Sequence, residues 1–498
     1  MHLSSSFKLE TLMLAAFLVT LPVYAPNHLL FETGVFETAV FMAPFANTLL
    51  ASSLVAGTAA ACVSARPGAS VRLLEKGWVF GGAACYLIGY LLFVLAAALP
   101  GFGTAAVGVA AGLLLALGTV ELAVAWGAYM AQYSLRQALL WVALMVGLSS
   151  LLEMLLSSVT FAVGLLVFCV LLPLSCFLPC WKACRGELVW RSDAAGPAEG
   201  RASDAAPAGP MMRRGLATMA QLLAMPFAGL MVFAFLMGAR KFILFDVMHM
   251  EVLGCVLGAL VVVPLCFVRS SRPLLPVIYR LVLPAFALVL IFLNSFPGGT
   301  VPLWFAAWLT YVFFGMLAIL ALASLVALAH GGELPCGFVY GVAVAGFAAC
   351  SILGVAAATT PPFQEQEGGP ALLVVSTLFF VALIGEALLS LWRASRAAAC
   401  EEGAAAGAVV CDDNGLPGRL VPRRAPDVAA RCAMLADEAS LTPREREILG
   451  YLGRGHGIAF IAGTLVISES TVRTHVKAIY RKIGVSSREE LLERVDEG

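Results

Sequence analysis

The chain is 498 residues long, with 61% hydrophobic and 12% charged residues and a mean hydropathy of +0.92, far from a soluble domain, in which about a quarter of residues carry charge. That composition excludes an ordinary soluble globular protein and puts the chain among integral membrane proteins. Its 31 basic and 31 acidic residues cancel, so net charge names no partner. The thirteen cysteines are odd in number and lie mostly inside apolar runs, which suits helix packing better than a disulfide framework.

At the N-terminus, Leu12 to Val23 after Lys8 has the form of a signal-peptide hydrophobic region, and Val23, Tyr24 and Ala25 that of a cleavage site. Pro26 directly after it argues against cleavage, so the segment reads as a first span. Apolar stretches of about 20 residues, the length that crosses a bilayer, fall near 7–25, 35–62, 77–99, 104–131, 136–156 and 159–180. Six more fall near 217–238, 247–268, 274–294, 301–328, 335–358 and 371–393. Between the sets, Trp181 to Gly215 is rich in Ala, Gly, Pro and Arg without apolar periodicity, the pattern of a flexible loop. Cys176, Cys180 and Cys184 repeat every fourth residue at the end of one span. They are packing residues or a thiol face, and no His or further Cys nearby completes a metal set.

The chain thus divides into a membrane half at 1–180, a cytoplasmic central loop at 181–216, a second membrane half at 217–393, a cytoplasmic linker at 394–439 and a tail domain at 440–498. Lys and Arg set the orientation, because basic loops stay on the cytoplasmic side. With the N-terminus inside, the inward loops carry Lys8, Arg66, Arg72, Lys76, Arg136, Lys182, Arg185, Arg191, Arg201, Arg213, Arg214, Arg269, Arg272 and Arg280, against Arg240 and Lys241 outside. Twelve spans return the C-terminus to the cytoplasm, where Arg393 and Arg396 close the last helix. Both termini are expected inside, in the inner membrane of a bacterium.

Six plus six spans with a basic middle loop resemble the major facilitator superfamily, whose two halves enclose a central cavity. Where that family carries a Gly, an Asp-Arg pair and a basic cluster between spans two and three, Gly57 to Arg72 reads GTAAACVSARPGASVR and lacks the Asp. The departure weighs against active transport.

Ionisable groups inside spans cost free energy. Glu37, Arg240 and Lys241 read either as interfacial residues reaching to water or, for the Arg240/Lys241 pair, as facing a cavity. Glu121 and Glu153 read either as cavity groups for a small polar ligand or as protonated carboxyls hydrogen-bonded between helices. Glu386 is also intramembrane, and Asp246, His249 and Glu251 extend the Arg240 cluster. Trp126, Tyr129, Trp304, Trp308 and Tyr311 are aromatic candidates for the same cavity. The candidate ligand set is Glu121, Glu153, Arg240, Lys241, Trp126 and Trp304.

After Trp392 the composition turns to Ala, Gly, Pro, Asp and Arg, a linker with a short helix expected near Val428 to Leu435. About 30 coiled residues would reach about 30 Å. In the tail, Thr442, Pro443 and Glu445 have the form of a capping box with proline at the first helical position. Ile448, Leu449 and Leu452 then make an apolar face, and Ile461 and Leu465 mark a second helix. Ser468 caps a third, in which Val472, Val476 and Ile479 form one stripe and Arg473, Lys477 and Arg481 the opposite one. Such a helix can pack on one side and offer cations to the major groove on the other. Gly484 ends it, Ser487 to Glu490 forms another box, and Leu491, Leu492 and Val495 make an apolar edge.

These residues, LTPRERE at 441–447, IA at 461–462, IS at 467–468, TVRTHVKAIYRKIGV at 471–485 and the Ser487 to Glu490 box, resemble the LuxR-type helix-turn-helix. The resemblance implies that Arg473, Thr474 and Lys477 face base edges, that Thr471, His475 and Lys482 contact phosphates or support the backbone, and that the fourth helix, through Leu491, Leu492 and Val495, pairs two subunits on an inverted repeat. One departure is the apolar opening of helix two, Gly457 to Phe460, where the family often has polar or basic residues. The expected fold is all-α, a bundle of about 12 spans followed by a four-helix tail. The expected function is transcription regulation, with DNA, the bilayer and a small-molecule inducer as partners and a homodimer on DNA. A transporter or transceptor with a regulatory tail is the alternative. No phosphate loop, His-Glu metal pattern or nucleophile set stands out, so no enzyme, cofactor or metal is expected.

Overall fold

Apolar runs this long leave the backbone no water to bond, so each satisfies its N–H and C=O groups within a helix. The structure, a computed structural model, describes residues 9–22, 39–66, 72–99, 101–188, 208–240, 248–267, 278–296, 300–331, 334–361, 374–389, 392, 425–454, 456–465, 467, 469–485 and 488–497. In the membrane region the helices are α1 Met13–Thr20, α2 Ala39–Ser64, α3 Lys76–Ala98, α4 Ala105–Met130, α5 Leu135–Ser158, α6 Phe161–Cys184, α7 Ala208–Arg240, α8 Met248–Leu265, α9 Leu283–Asn294, α10 Val301–His330, α11 Cys336–Ala358 and α12 Val374–Leu389. Together they occupy all twelve expected stretches. Seven, in α2 to α6, α10 and α11, are long and apolar enough to cross a membrane, and the other five contribute shorter apolar stretches, Glu10–Thr20, Met225–Ala239, Val252–Leu265, Leu283–Asn294 and Val374–Leu389. Outward-facing Val55 and Leu166 are each 68% exposed, with Leu155, Leu260 and Leu353 close behind. Surfaces of that kind belong in hydrocarbon, and the region is a membrane domain.

Chain contacts divide the molecule into residues 1–269 with 292–379, and residues 270–291 with 380–498. Within the first unit the helices pack with a six-helix repeat. The pair α2 and α4 matches α8 and α10, α1 and α5 matches α7 and α11, and α4 and α11 matches α10 and α5. The seams between halves obey the same rule, since α2 against α11 becomes α8 against α5. Small residues make these seams close: a Cβ added to Gly57 would lie 2.8 Å from the Gly341 carbonyl oxygen, and one on Gly341 2.6 Å from that of Gly57.

Polar groups inside the bundle find partners across helices. Pro179 removes the N–H that would bond the Ser175 carbonyl one turn back, and the Trp126 indole N–H fills that place at 3.0 Å. The Tyr86 hydroxyl donates to the Thr20 carbonyl at the end of α1 at 2.6 Å, and the Arg136 Nε donates to the Cys266 carbonyl at the end of α8 at 2.6 Å. In α7, Leu223 departs from helical geometry just before Pro226, the kink a proline ring imposes on the preceding turn. The stretch expected as loop, 181–216, is helical at both ends: α6 runs on to Cys184 and α7 begins at Ala208, with Pro210 tolerated in the first turn, where its missing N–H has no partner to lose.

The tail consists of α13 Ala425–Glu438, α14 Pro443–Leu452, α15 Ile458–Leu465, α16 Glu469–Ile483 and α17 Arg488–Glu497. One apolar core joins them, including Val428, Cys432 and Ala436 of α13 with Ile448, Leu452, Ile461, Val472, Ile479, Leu491 and Val495. The packed unit therefore starts near 425, inside the expected linker. It has five helices, the fifth being the short one anticipated ahead of the tail.

Candidate nucleic-acid interface

The Thr442 box forms as its spacing requires: the Thr442 N–H donates to Glu445 Oε2 at 2.8 Å, and the Glu445 N–H to Thr442 Oγ1 at 3.3 Å. Glu445 also takes Lys482 Nζ at 2.6 Å, which pins the end of α16 to the start of α14. Burial alone would raise this carboxyl, but the Lys482 and Thr442 hydrogen bonds and the Lys482 charge hold it below its ordinary value. Buried Arg444 bonds Glu447 Oε2 at 2.8 Å and donates to the Leu465 carbonyl at 3.2 Å, satisfying a group that the end of α15 leaves open. Between α15 and α16, Ile467 is buried and its N–H reaches the Ala462 carbonyl at 3.1 Å. That anchors the turn of the helix-turn-helix.

The faces of α16 are cleanly separated. Val472, Val476 and Ile479 are in the core, whereas Arg473, Thr474, Lys477 and Arg481 are exposed. Gly484, at φ +81°, ends the helix in a conformation suited to glycine. The three residues expected at base edges therefore share an accessible face. Thr471 is half-buried at its margin.

Two expectations left open between phosphate contact and support, and one for the fourth helix, can be set against these positions. His475 is 6% exposed, because it falls on the core side of α16 next to Val472 and Val476, a place that suits the supporting one of its two expected roles. Lys482 is committed to Glu445, so it braces the reading helix. Leu491 and Val495, at 0% and 1% exposure, close the domain's own core against α13, and α13 and α17 are also tied by the Arg431 Nη1 bond to the Val495 carbonyl at 3.4 Å. They offer no dimer contact, and of the three only Leu492 is half-buried. At the apolar opening of α15, Phe460 stacks on His456 at 4.0 Å between centroids, with Tyr451 tilted against both. Burial first, then the Arg454 charge, lowers the His456 pKa. Ser468 and Ser487 lie outside the described residues.

In the membrane unit, a cavity of about 150 Å³ lies among α1, α4, α5, α7, α10 and α11, with Phe17, Thr119, Trp126, Leu230, Leu325 and Tyr340 in its wall. Trp126 is where the sequence reading put it. Glu121 and Glu153 are not in the wall. Thr119, Ala123, Trp126, Gly127 and Met130 form the cavity stripe of α4, and Glu121 falls on another face, packed on Gly82 of α3. Glu153 lies eleven residues beyond Val142, the cavity residue of α5, or about 16 Å along the helix. Tyr129 is held by Thr11 at 3.1 Å and donates to Glu10 Oε1 at 3.2 Å, and Tyr311 packs on Gly254. The side chains of Arg240, Lys241, Asp246, His249, Glu251 and Trp304, and residue Glu37, lie outside the described residues. Among the described residues no group of His, Cys, Asp and Glu is placed to hold a metal ion.

Residues 439–495 match the model of the family described as bacterial regulatory proteins, luxR family. This segment is a LuxR-type helix-turn-helix domain. Over 69 residues, 14% of this chain, it is 42% identical to the "Probable transcriptional regulatory protein NarL" of Mycobacterium tuberculosis strains CDC 1551 / Oshkosh and ATCC 25618 / H37Rv, covering 31% of each. Over 57 residues, 11% of this chain, it is 35% identical to the "HTH-type transcriptional regulator MalT" of Serratia proteamaculans strain 568, covering 6% of it. The chain thus spans less than a third of the length of these curated relatives, and the likeness is confined to the DNA-binding tail. Among solved structures, 76% of the chain aligns with 96% of the human organic anion transporter MFSD10 (TETRAN) at 14% identity and a TM-score of 0.39. A likeness that slight carries no argument here.

Proposed function

We propose that the protein is a membrane-embedded one-component transcription regulator: its helix bundle senses a small molecule, and its tail binds promoter DNA. The observation that carries the reading is the exposed Arg473, Thr474 and Lys477 face on a helix sealed into a separate core, in the same chain as a bundle whose outer surface is apolar. DNA binding requires a cytoplasmic tail, which agrees with the basic inward loops; the setting is a bacterial inner membrane with both termini inside. A ligand favouring one state of the bundle shifts the tail's access to DNA by its differential affinity for the two states. The tail acts as a homodimer on an inverted repeat, and the chain regulates without catalysing a reaction.

Footprinting with the full-length protein in lipid nanodiscs tests this reading. Two protected half-sites about one helical turn apart are expected, lost in Arg473→Ala. Protection that Arg473→Ala leaves intact would overturn it. The cavity between two six-helix halves also favours a second reading, a transporter or transceptor with a regulatory tail. Uptake by proteoliposomes separates the two.

A further inference from the structure

The cavity wall is wrong for an ionised ligand. Phe17, Leu18, Leu230, Leu322 and Leu325 give it an aliphatic and aromatic surface, and the carboxyls of Glu121 and Glu153 are elsewhere. Its polar features are few. The Trp126 N–H is taken by the Ser175 carbonyl, which leaves the hydroxyls of Thr119 and Tyr340.

Thr119 is the informative one. Three threonines elsewhere in these helices return the hydroxyl to a carbonyl one turn back, Thr20 to Ala16 at 2.9 Å, Thr58 to Leu54 at 2.7 Å and Thr310 to Ala306 at 2.7 Å, whereas Thr377 of α12, outside the cavity wall, shares with Thr119 a buried hydroxyl without a partner among the described residues. Thr119 is 2% exposed, and its Oγ1 is fully buried with no hydrogen-bond partner among the described residues. A hydroxyl kept buried and unbonded costs free energy that a valine would avoid. Its place in the wall of an otherwise apolar cavity gives it a use.

We infer that this cavity is a binding site for a small, uncharged, largely apolar molecule with a single hydrogen-bonding group, the apolar body lying against Phe17, Leu230 and Leu325 and the polar atom meeting Thr119. Resting on the sensing role proposed above, the site gives the inducer a chemical class. Its volume, about 150 Å³, is that of apolar cavities that admit benzene-sized guests. A ring bearing one hydroxyl is the simplest member of the class. Ala123, half-buried in the same wall, is the position from which a larger side chain would fill the space.

Phenol, toluene and benzoate titrated against the full-length protein in lipid nanodiscs, with heat unfolding as the readout, test the site. Phenol is expected to raise Tm saturably, toluene to bind about tenfold more weakly for want of the hydrogen bond, and benzoate to have no effect. Thr119→Val should abolish the phenol advantage and spare toluene, and Ala123→Leu should weaken both by about tenfold or more. If Ala123→Leu fails to fold, the phenol to toluene ratio in Thr119→Val decides alone. Benzoate binding as tightly as phenol, or a phenol response unchanged in Thr119→Val, overturns the assignment. Promoter occupancy in cells given the same compounds separates site from function. Saturable phenol binding that leaves occupancy unchanged keeps the site and defeats the sensing role, whereas an occupancy response indifferent to Thr119 and Ala123 keeps the sensing role and defeats the site.

Discussion

Four cations of the tail differ in what their places on the helices commit them to. Arg473 and Lys477 are exposed on the reading face of α16, whereas Lys482 is spent on Glu445 and Arg444 on Glu447 and the Leu465 carbonyl. Lys477→Ala should therefore weaken DNA binding and, if its contact is to phosphate, lower the salt slope of log K by about 1. Binding isotherms of the full-length protein at several salt concentrations measure this. Lys482→Ala should act differently, loosening α14 against α16 by about 1 kcal/mol, the upper end for a partly exposed pair, with the salt slope unchanged. The pH dependence follows from the lowered Glu445 pKa. With the folded value below the unfolded one, the pair's stabilisation is fully present above the unfolded value of about 4.3 and is lost as pH falls through the folded value. Hydrogen exchange of α14 amides should speed up over that acid range in the wild type, and Glu445→Gln should remove that part of the dependence.

At the scale of elements, the ends of helices were the most legible part of the sequence. Thr442, Pro443 and Glu445 carry their own geometry, because a capping box depends on residues three apart. Gly484 does likewise. The apolar edge of α17 was not legible in the same way: Leu491 and Val495 have one spacing whether they face a partner subunit or their own core. What decides is α13, an Ala-rich segment in the expected linker whose Val428, Cys432 and Ala436 supply the missing wall. The end of α13 shows why it is held: Ser440, at φ +48°, lets the Leu441 N–H reach the Ala436 carbonyl at 2.9 Å and the Ser440 N–H the Asp437 carbonyl at 3.2 Å, a Schellman stop. Ser440→Gly should stabilise the tail by roughly 0.5–1 kcal/mol, since glycine takes positive φ without a Cβ penalty. Leu491→Ala should cost about 2–5 kcal/mol as a core cavity. Hydrogen exchange of α16 amides reads both, and a Leu491→Ala tail that keeps its protection while losing only self-association would restore the dimer contact.

At the scale of the whole molecule, the sequence showed where the apolar helices fall but not their partners. Hydropathy records that a helix is apolar, whereas the seam of α2 with α11 depends on Gly57 and Gly341 meeting 284 positions apart. The charged residues drew attention to Glu121 and Glu153, yet the cavity stripe of α4 includes Thr119, Ala123, Trp126 and Gly127, of which Trp126 alone was a candidate from the sequence and the others are visible only once α1, α7 and α10 are seen around it. The tail and the bundle also answer to different solvents. The tail's core is sealed by charged and polar faces, and the bundle turns its apolar side chains outward, so each has its own source of stability and should unfold in its own step. Two calorimetric transitions are expected for the full-length protein in nanodiscs. Gly57→Leu, which forces the α2 and α11 backbones apart, should lower only the bundle's transition, by an overpacking cost of about 1–3 kcal/mol, while Leu491→Ala should lower only the tail's. Ligand coupling between bundle and tail, of the 1–3 kcal/mol usual for such systems, would then appear as a shift of the tail's transition on binding to the bundle. One merged transition moved equally by both substitutions would mean instead that the reading helix and the bundle share a single folding unit.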